Sequence, residues 1–557
     1  MLPLAKKVLI IGLDGGTFEL LRPWAEEGRL PAIARLLREG AAGPLTTTIP
    51  PVSASAWVSF ATGKNPGQHG VVDFVFPRQG GYEVGVSSRS LWSSRAFWNV
   101  IADAGRPVGL VNVPMTYPPE KLPAGGFVAS TFMAPTGGSP WAEPPTLKEE
   151  LQQAGGFPLF LPEGHRSGQV ERFIEDMRDF DSQRARAVLW LLRHKPWDCF
   201  VFVFETPDTL QHELWHLLDT AHPRHNAAQA ARHREQIIAY YAGLDRALGE
   251  MIAAAGEEAL VIVMSDHGFG PFHRFFHVNN WLMAQGLLKL KRRPLSLLKL
   301  ALFRLGFTPV NVVRLLGRLR LSGLRSRVKR GRGQGLLKRA FLSFHDVDWS
   351  RTQAFAMGNF GQVYINTQGE RRLGIVAPGE EYEALRQRLI AAAEALRDPE
   401  TGDRVIQRAY RREEIFAGAA LSRMPDLLLH TDRSRYVSFG HADFGSNRII
   451  EPSVGQTGHH MMEGILLMAG PAVRQGTQLT GARIVDIAPT VLYALGLPIP
   501  PDLDGRVLTE AFAPQWVAVN PPVYGEQATT AEATGEPYAA GDQAAVIERL
   551  RAMGYVA

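Results

Sequence analysis

The sequence predicts an α/β fold in which helices cover both faces of a mostly parallel sheet. Short apolar runs alternate along the chain with stretches of helical periodicity. The runs are residues 8–13, 108–113, 199–204, 260–264 and 465–468, and the helical stretches include residues 181–193, 232–255 and 380–397. Continuous apolar runs of this length are typical of strands buried on both faces. Their alternation with helices favours a parallel sheet.

Composition narrows the class of protein. The 557 residues are 45% hydrophobic and 21% charged, which fits a large folded core and excludes a disordered or fibrous chain. No run approaches the roughly 18 apolar residues of a membrane span, and residues 8–13 are too short for a signal peptide. The single cysteine, Cys199, permits no internal disulfide, as in a reducing compartment. We therefore expect a soluble, cytoplasmic protein.

The charge is distributed unevenly. Between His267 and His345 there is no Asp or Glu, yet this stretch holds Arg274 and sixteen further Lys and Arg residues from Lys289 to Arg339. These basic residues are interleaved with leucines at helical spacing, which predicts a helical insertion. We therefore divide the chain into a first core part (1–280), a basic Leu/Arg-rich insertion (281–348), a second core part (349–515) and a C-terminal tail with a short helix (516–557).

The basic insertion has three interpretations. It can be a cap that packs its leucines on the core and shows its arginines to water. It can contact an anionic membrane through residues 285–340, which would place the protein at the inner membrane face. Binding of nucleic acid is the third, and the thin content of interleaved aromatic residues argues against it.

The first candidate site residue is Asp14, which the apolar run of residues 8–13 delivers into a glycine turn. An unpaired carboxylate is costly to bury, so Asp14 either caps a helix or binds a positive group. Taken alone, the segment favours the cap. The glycine pair is only a weak hint of a dinucleotide site, because the GxGxxG pattern is absent.

Ser53 follows two prolines and opens a helix of small residues. It can be a simple N-cap, and without other observations this interpretation is preferred. The same position also favours chemistry, because the positive end of the helix dipole and free backbone N–H groups stabilise phosphate and an ionised serine.

Asp208 and His212 lie four residues apart on a helix that we expect to begin with Thr206 as cap and Pro207 as first residue. A carboxylate and an imidazole at this spacing can share one metal ion, although a surface Asp–His pair is an equal alternative.

Asp266 and His267 directly follow the apolar run of residues 260–264. A structural role for two adjacent polar residues is hard to supply there, so this position favours metal ligands. A further imidazole comes from His459 or His460. Two zinc-like ions need about this inventory of nitrogen and oxygen ligands, and two adjacent metals can clamp the oxygens of an in-line displacement at phosphorus.

The order of these motifs resembles the alkaline phosphatase superfamily. The series Asp, Ser, Asp-x-x-x-His, Ser-Asp-His-Gly and Gly-x-His is most similar to its type I phosphodiesterase/nucleotide pyrophosphatase branch. The resemblance runs from residue 8 to about residue 508, because residues 486–490 and 496–505 are similar to the closing helix and turn of the superfamily. It implies an alkaline-phosphatase-like fold for the predicted sheet.

The resemblance also implies two divalent ions. Asp208, His212 and His460 would hold one ion. Asp14, Asp266, His267 and the Ser53 oxygen would hold the other, with Ser53 as nucleophile. The distance to Gly464 favours His460 over His459. Mixed Asp and His ligands favour zinc and tolerate manganese.

We therefore predict a metal-dependent hydrolase of phosphate esters, acting on a small-molecule or lipid-linked ester that the basic insertion helps to select. Phosphomonoesterase, phosphonate hydrolase and phospho-headgroup transferase activities are alternatives within the superfamily. A non-catalytic protein that binds membranes or partners is the alternative of another class. Phe74 stands where nucleotide pyrophosphatases usually carry Asn, so nucleotide specificity is not carried over.

Overall fold

The central element is a ten-stranded sheet whose strands come from almost the whole chain. The computed structural model describes residues 3–135, 138–161, 169–312, 340–431, 435–440, 444–526, 538 and 540–553. The strands are β1 (Lys7–Leu13), β2 (Ala41–Thr46), β3 (Val75–Pro77), β4 (Val84–Val86), β5 (Val108–Val111), β6 (Phe127–Ala129), β7 (Ala142–Glu143), β8 (Cys199–Phe204), β9 (Ala259–Met264), β10 (Gly268–Pro271), β11 (Arg274–His277), β12 (Ala354–Ala356), β13 (Gln362–Ile365), β14 (Ile406–Arg411), β15 (Leu427–Thr431), β16 (Tyr436–Phe439), β17 (Ile450–Pro452), β18 (Gly458–Met461), β19 (Glu463–Ala469), β20 (Thr477–Gln478) and β21 (Ala482–Arg483). The helices are α1 (Phe18–Glu26), α2 (Pro31–Glu39), α3 (Ser53–Thr62), α4 (Pro66–His69), α5 (Phe97–Asp103), α6 (Leu147–Gln153), α7 (Val170–His194), α8 (Thr206–Leu218), α9 (Ala227–Ala255), α10 (Val278–Ala284), α11 (Pro294–Arg304), α12 (Glu380–Glu394), α13 (Arg412–Ile415), α14 (Ile487–Ala494), α15 (Pro514–Val519) and α16 (Ala540–Met553).

The sheet runs in the order β20-β2-β19-β9-β1-β8-β5-β6-β7, and β21 also pairs with β2. Neighbours from β9 through β6 are parallel, whereas β19 is antiparallel to both β9 and β2. Every residue of β8 and β9 is buried, because helices such as α7 and α9 pack on the sheet. The predicted mostly parallel sheet flanked by helices is confirmed.

Residues 354–431 build a second, antiparallel sheet in the order β12-β13-β15-β14, which α12 covers. We call this unit the small lobe. It has its own apolar core, which includes the buried Phe355, Tyr364, Leu389 and Leu427. The predicted boundaries 281–348 and 349–515 stay predictions. Residues 313–339, the larger part of the basic insertion, lie outside the described residues.

The start of α8 differs from the expectation. The helix begins at Thr206, but Glu205 occupies the cap position and no side-chain cap forms. Thr206 instead donates its hydroxyl to the buried Asp181, and the Tyr240 hydroxyl lies 2.7 Å away. Glu205 pairs with Arg184 of α7 at 3.0 Å, and both side chains are buried. A buried polar network therefore fixes the first turn of the helix that carries Asp208.

Within the described residues, no helix is both long and apolar enough to cross a membrane.

The Arg184–Glu205 pair generates a stability prediction. Arg184→Ala leaves the Glu205 carboxylate buried without its cation, so we expect a destabilisation of about 3–5 kcal/mol. The exposed Arg178, 3.7 Å from Asp179 on the same helix, provides a matched control, because an exposed pair contributes at most about 1 kcal/mol. Differential scanning calorimetry should give a clearly lower Tm for Arg184→Ala than for Arg178→Ala. Equal Tm values would contradict this account.

Candidate metal centre

The three predicted aspartates meet at the carboxyl edge of the central sheet. Asp14 directly follows β1, Asp208 lies in the first turn of α8 after β8, and Asp266 lies two residues beyond β9. Because β9, β1 and β8 are adjacent and parallel, their ends lie side by side. Gly15 takes a φ of 68° and donates its N–H to Asp266 Oδ1 at 3.2 Å. This hydrogen bond links the turn after β1 to the turn after β9. Side chains distant in sequence therefore share one buried edge.

His460 reaches this edge through a small antiparallel ribbon. β10 follows His267, β18 carries His460, and the two strands pair so that Phe269 faces His460. The backbone at Glu463 packs closely against Gly268. A Cβ added at position 268 would lie 1.9 Å from the Glu463 carbonyl oxygen. Glycine at position 268 therefore allows the loops of His267 and His460 to pack together.

Asp208, His212 and His460 form one group of potential ligands, and all three are buried. Asp208 Oδ1 lies 3.4 Å from His212 Nε2 and 3.1 Å from His460 Nε2. The two Nε2 atoms are 3.0 Å apart. These three side chains are the ones that the family resemblance assigned to a single ion.

A second buried group is formed by Asp14, Asp208 and His267. His267 Nε2 lies 3.5 Å from Asp14 Oδ1, 4.0 Å from Asp208 Oδ1 and 3.3 Å from Asp266 Oδ2. Asp208 thus belongs to both groups, a feature that the sequence did not indicate. Asp266 adjoins this second group through its Oδ2 atom, which lies 3.3 Å from His267 Nε2.

Ser53 Oγ lies 3.1 Å from His267 Nε2. Ser53 is the first residue of α3, Val52 occupies the cap position, and no side-chain cap forms. Thr17 rather than Asp14 caps α1. The interpretations of Ser53 and Asp14 as helix caps are therefore wrong, and all seven predicted site residues lie together. Their chemical roles remain predictions.

The three imidazoles are oriented alike by backbone carbonyls. His212 Nδ1 lies 2.8 Å from the Gly458 carbonyl, His460 Nδ1 lies 2.8 Å from the Pro51 carbonyl, and His267 Nδ1 lies 3.0 Å from the Gly268 carbonyl. A carbonyl only accepts, so each Nδ1 donates and each Nε2 is directed toward the buried carboxylates. The His212 and His460 Nε2 atoms face each other across 3.0 Å, so either a proton or a metal ion must lie between them. Histidines held in this way are typical metal ligands.

The electrostatics favour cations as well. Burial raises the pKa of Asp14 well above its usual range, and the nearby Asp266 and Asp208 raise it further. Burial likewise raises the pKa of Asp266. Burial alone would raise the pKa of Asp208 too, but His212 and His460 outweigh it and hold that pKa well below the usual range. Asp14 Oδ1 accepts no hydrogen bond within the described part of the chain. The donor set therefore fits divalent metal ions.

Sequence reasoning missed several residues that shape the site. Trp57 donates its indole N–H to Asp14 Oδ2 at 3.3 Å. Phe360 of the small lobe packs against His459 and His460, with ring centroids 5.2 and 5.5 Å apart. No local signal links these aromatic residues to ligands tens or hundreds of positions away.

A cavity of about 460 Å³ opens beside the candidate ligands. His460 and Pro51 border it on one side, and residues of the small lobe, among them Phe360, border it on the other. The cavity therefore reaches one of the candidate ligands, His460.

His459 and His460 allow a direct test of ligand identity. His459 Nδ1 accepts the His460 backbone N–H at 2.8 Å and does not belong to either ligand group. We expect His460→Ala to weaken zinc binding by about 100-fold or more, whereas His459→Ala should change it by less than about tenfold. Titration of chelator-stripped protein with zinc, followed by calorimetry, measures both. A larger loss in His459→Ala would reverse the assignment.

One solved structure of another protein shares this architecture. The crystal structure of phosphonoacetate hydrolase from Sinorhizobium meliloti 1021 superposes with a TM-score of 0.51 at 15% identity, covering 89% of this chain and 96% of that chain. Human ectonucleotide pyrophosphatase/phosphodiesterase 5 gives a TM-score of 0.45 at 13% identity, covering 90% and 97%. A 2,3-bisphosphoglycerate-independent phosphoglycerate mutase of Rhodopirellula baltica is 33% identical over 94 residues, which are 16% of this chain and 17% of that protein.

The family comparison covers most of the chain. The model of the type I phosphodiesterase/nucleotide pyrophosphatase family matches residues 8–447, a range that contains Asp14, Ser53, Asp208, His212, Asp266 and His267. The chain belongs to the type I phosphodiesterase/nucleotide pyrophosphatase family, and this membership indicates a hydrolase of phosphate esters.

Proposed function

We propose that this protein is a phosphodiesterase-type hydrolase that attacks phosphate esters with Ser53 at a site for two divalent ions. One observation carries the proposal: three imidazole Nε2 atoms and the carboxylates of two overlapping ligand groups converge next to the Ser53 hydroxyl, 3.1 Å from His267 Nε2. Family membership supports the phosphate-ester substrate.

The proposed ligands fall into two sets. Asp208, His212 and His460 hold one ion, and Asp14, Asp266, His267 and Ser53 hold the other. Asp208 Oδ1 reaches toward both sets, which supports closely spaced ions. Imidazole and carboxylate suit zinc and also accept manganese. When bound, the ions supply positive charge that stabilises ionised Ser53 and the phosphoryl oxygens.

The chain's own residues carry the reaction in two displacements. The Ser53 hydroxyl releases its proton to water, and Oγ attacks phosphorus, forming an Oγ–P bond while the bond from phosphorus to the leaving alcohol breaks and the departing oxygen takes a proton from water. The position of Ser53 at the start of α3 directs free backbone N–H groups toward the phosphoryl group. A water molecule then attacks phosphorus and loses a proton, the Oγ–P bond breaks, and Oγ takes up a proton, which regenerates the Ser53 hydroxyl. Two in-line displacements retain the configuration at phosphorus.

The non-catalytic alternative accounts poorly for the site. Clustered buried carboxylates are costly without a cation, and a protein that only binds a membrane or a partner gains nothing from them.

Ser53→Ala tests the nucleophile. The variant lacks the attacking oxygen, so turnover of bis-p-nitrophenyl phosphate should fall by at least about 10³-fold. Ser55→Ala, two residues later in the same buried helix, is the matched control and should stay within about threefold. Steady-state assays with added zinc or manganese measure both, and p-nitrophenyl phosphate ranks monoester against diester. Full turnover by Ser53→Ala would refute the proposed mechanism.

We also propose that the described part of the basic insertion contacts an anionic membrane surface, bringing a lipid-linked ester to the site. Helix α11 buries Ser296, Lys299 and Phe303, and Lys299 pairs with Asp346 at 3.0 Å. Its outward side shows Leu295 (64% exposed) and Leu298 (56% exposed). This orientation contrasts with a cap that packs its leucines inward.

Charge supports the same contact. Arg292, Arg293 and Arg304 are exposed beside these leucines, as are Leu305 and Phe307. Apolar side chains flanked by arginines match the interface of an anionic bilayer.

The triple variant Leu295→Ser, Leu298→Ser, Leu305→Ser tests this surface. It should lose affinity for vesicles of phosphatidylcholine and phosphatidylglycerol by at least about tenfold, because it removes apolar burial, and keep bis-p-nitrophenyl phosphate turnover. Co-sedimentation measures binding. Point substitutions are preferable to deleting residues 285–340, which would remove Leu287 and Leu288 from the small-lobe core.

The control replaces three exposed apolar residues elsewhere: Leu373, Val454 and Val519, each by Ser. Equal binding of both triple variants, or no binding of the unmodified protein to these vesicles, would rule out the proposed membrane contact.

A further inference from the structure

We infer that the cavity beside His460 selects phosphate esters whose organic group is uncharged and apolar, and that Phe360 sets this preference. The inference rests on the proposed function, because it takes phosphorus to lie at the His460 side of the cavity. It concerns the organic group of the substrate and not the attack on phosphorus.

The surface that the cavity offers is largely apolar. Phe18, Phe360, Met461 and Met462 line it, and each keeps part of its side chain exposed. Phe360 lies 5.5 Å from the His460 ring and 5.2 Å from the His459 ring, so it borders the space directly next to the ligands. Methionine side chains adapt to irregular apolar shapes. An alkyl or aryl group that extends from phosphorus into the cavity therefore contacts this wall.

The charges around the cavity disfavour an anionic organic group. The described lining includes no Lys or Arg, whereas the exposed carboxylates of Glu19 and Glu463 border it. A second phosphate or a carboxylate placed near Glu19 or Glu463 would meet a like charge, and no Lys or Arg of the described lining would offset it. Uncharged groups avoid this repulsion.

Phe360 is held in place from both sides. It lies in the turn between β12 and β13, where Gly358 and Gly361 take φ values of 116° and 77°. The Phe360 N–H donates to Gln362 Oε1 at 2.9 Å, and Gln362 Nε2 donates to Asp73 Oδ2 at 2.7 Å. Because Asp73 lies outside the small lobe, the turn is fixed against the rest of the protein. A fixed wall loses little conformational entropy when a ligand binds.

Competitive inhibition by alkylphosphonates tests the inference, because each carries one organic group on phosphorus. With bis-p-nitrophenyl phosphate as substrate, hexylphosphonate should inhibit at least about 20-fold more strongly than methylphosphonate, since each fully buried methylene is worth roughly fourfold. 5-Carboxypentylphosphonate, of similar length but anionic at its end, should inhibit at least about tenfold less strongly than hexylphosphonate.

Variants of Phe360 and Glu19 test which residues cause the preference for apolar groups. Phe360→Ala should reduce the hexyl-to-methyl ratio of inhibition constants to less than about fivefold, whereas Phe360→Leu keeps most of it. Phe160→Ala, an exposed phenylalanine outside the cavity, is the control and keeps the full ratio. Glu19→Gln should improve inhibition by the carboxypentyl compound about two- to threefold relative to hexyl, which tests the charge argument even where Phe360→Ala does not fold.

The outcomes separate the two proposals. If the metal-loaded protein does not hydrolyse bis-p-nitrophenyl phosphate, the proposed function fails and the inference fails with it. If turnover is normal but methyl and hexyl compounds inhibit equally, or the carboxypentyl compound inhibits best, only the inference fails. An unchanged ratio in Phe360→Ala would remove Phe360 from its proposed role.

Discussion

The cost of burying three carboxylates together is the constraint on which the arrangement of the site depends. Asp14, Asp208 and Asp266 lie buried at one edge of the sheet, where their mutual repulsion helps to raise the pKa of Asp14. Such a group of charges is stable only when positive charge is supplied at fixed positions. Three adjacent parallel strands hold the carboxylates in fixed positions, because their register places the turns after β9, β1 and β8 side by side. The ribbon of β10 and β18 adds His460, and backbone carbonyls orient each imidazole.

Much of this arrangement could be predicted from the sequence, because it is encoded locally. Continuous apolar runs identified the buried strands, and the polar residues that end them identified Asp14 and Asp266. The four-residue spacing of Asp208 and His212 follows from helix geometry alone. The position shared by Asp208 could not be predicted in this way, since it depends on how α8 meets β1. The expected cap at Thr206 was wrong for a similar reason: the distant Asp181 accepts the Thr206 hydroxyl.

Local sequence patterns do not predict the sheet of the small lobe. Its strands are three to six residues long, and β14 shows the mixed burial of an edge strand. Nothing in such short segments tells which sheet they join, so the stretch from residue 349 was assigned to the continuing core. The consequence for the site is direct, because the turn that presents Phe360 belongs to this lobe. Contacts between residues hundreds of positions apart, such as Asp73 with Gln362, are decided by tertiary packing.

The two proposals assign the reaction at phosphorus to the central sheet and the selection of the organic group to the small lobe. Every residue proposed to hold an ion or attack phosphorus belongs to the central sheet, its connecting helices or the β10–β18 ribbon, and these motifs carry the family resemblance. Phe360 enters from a lobe whose hydrogen bonds to Asp73 are independent of the metal ligands. We therefore expect a change in the turn at Phe360 to alter which organic group fits while the three carboxylates stay in place. For this reason, family membership specifies the reaction at phosphorus more tightly than it specifies the rest of the substrate.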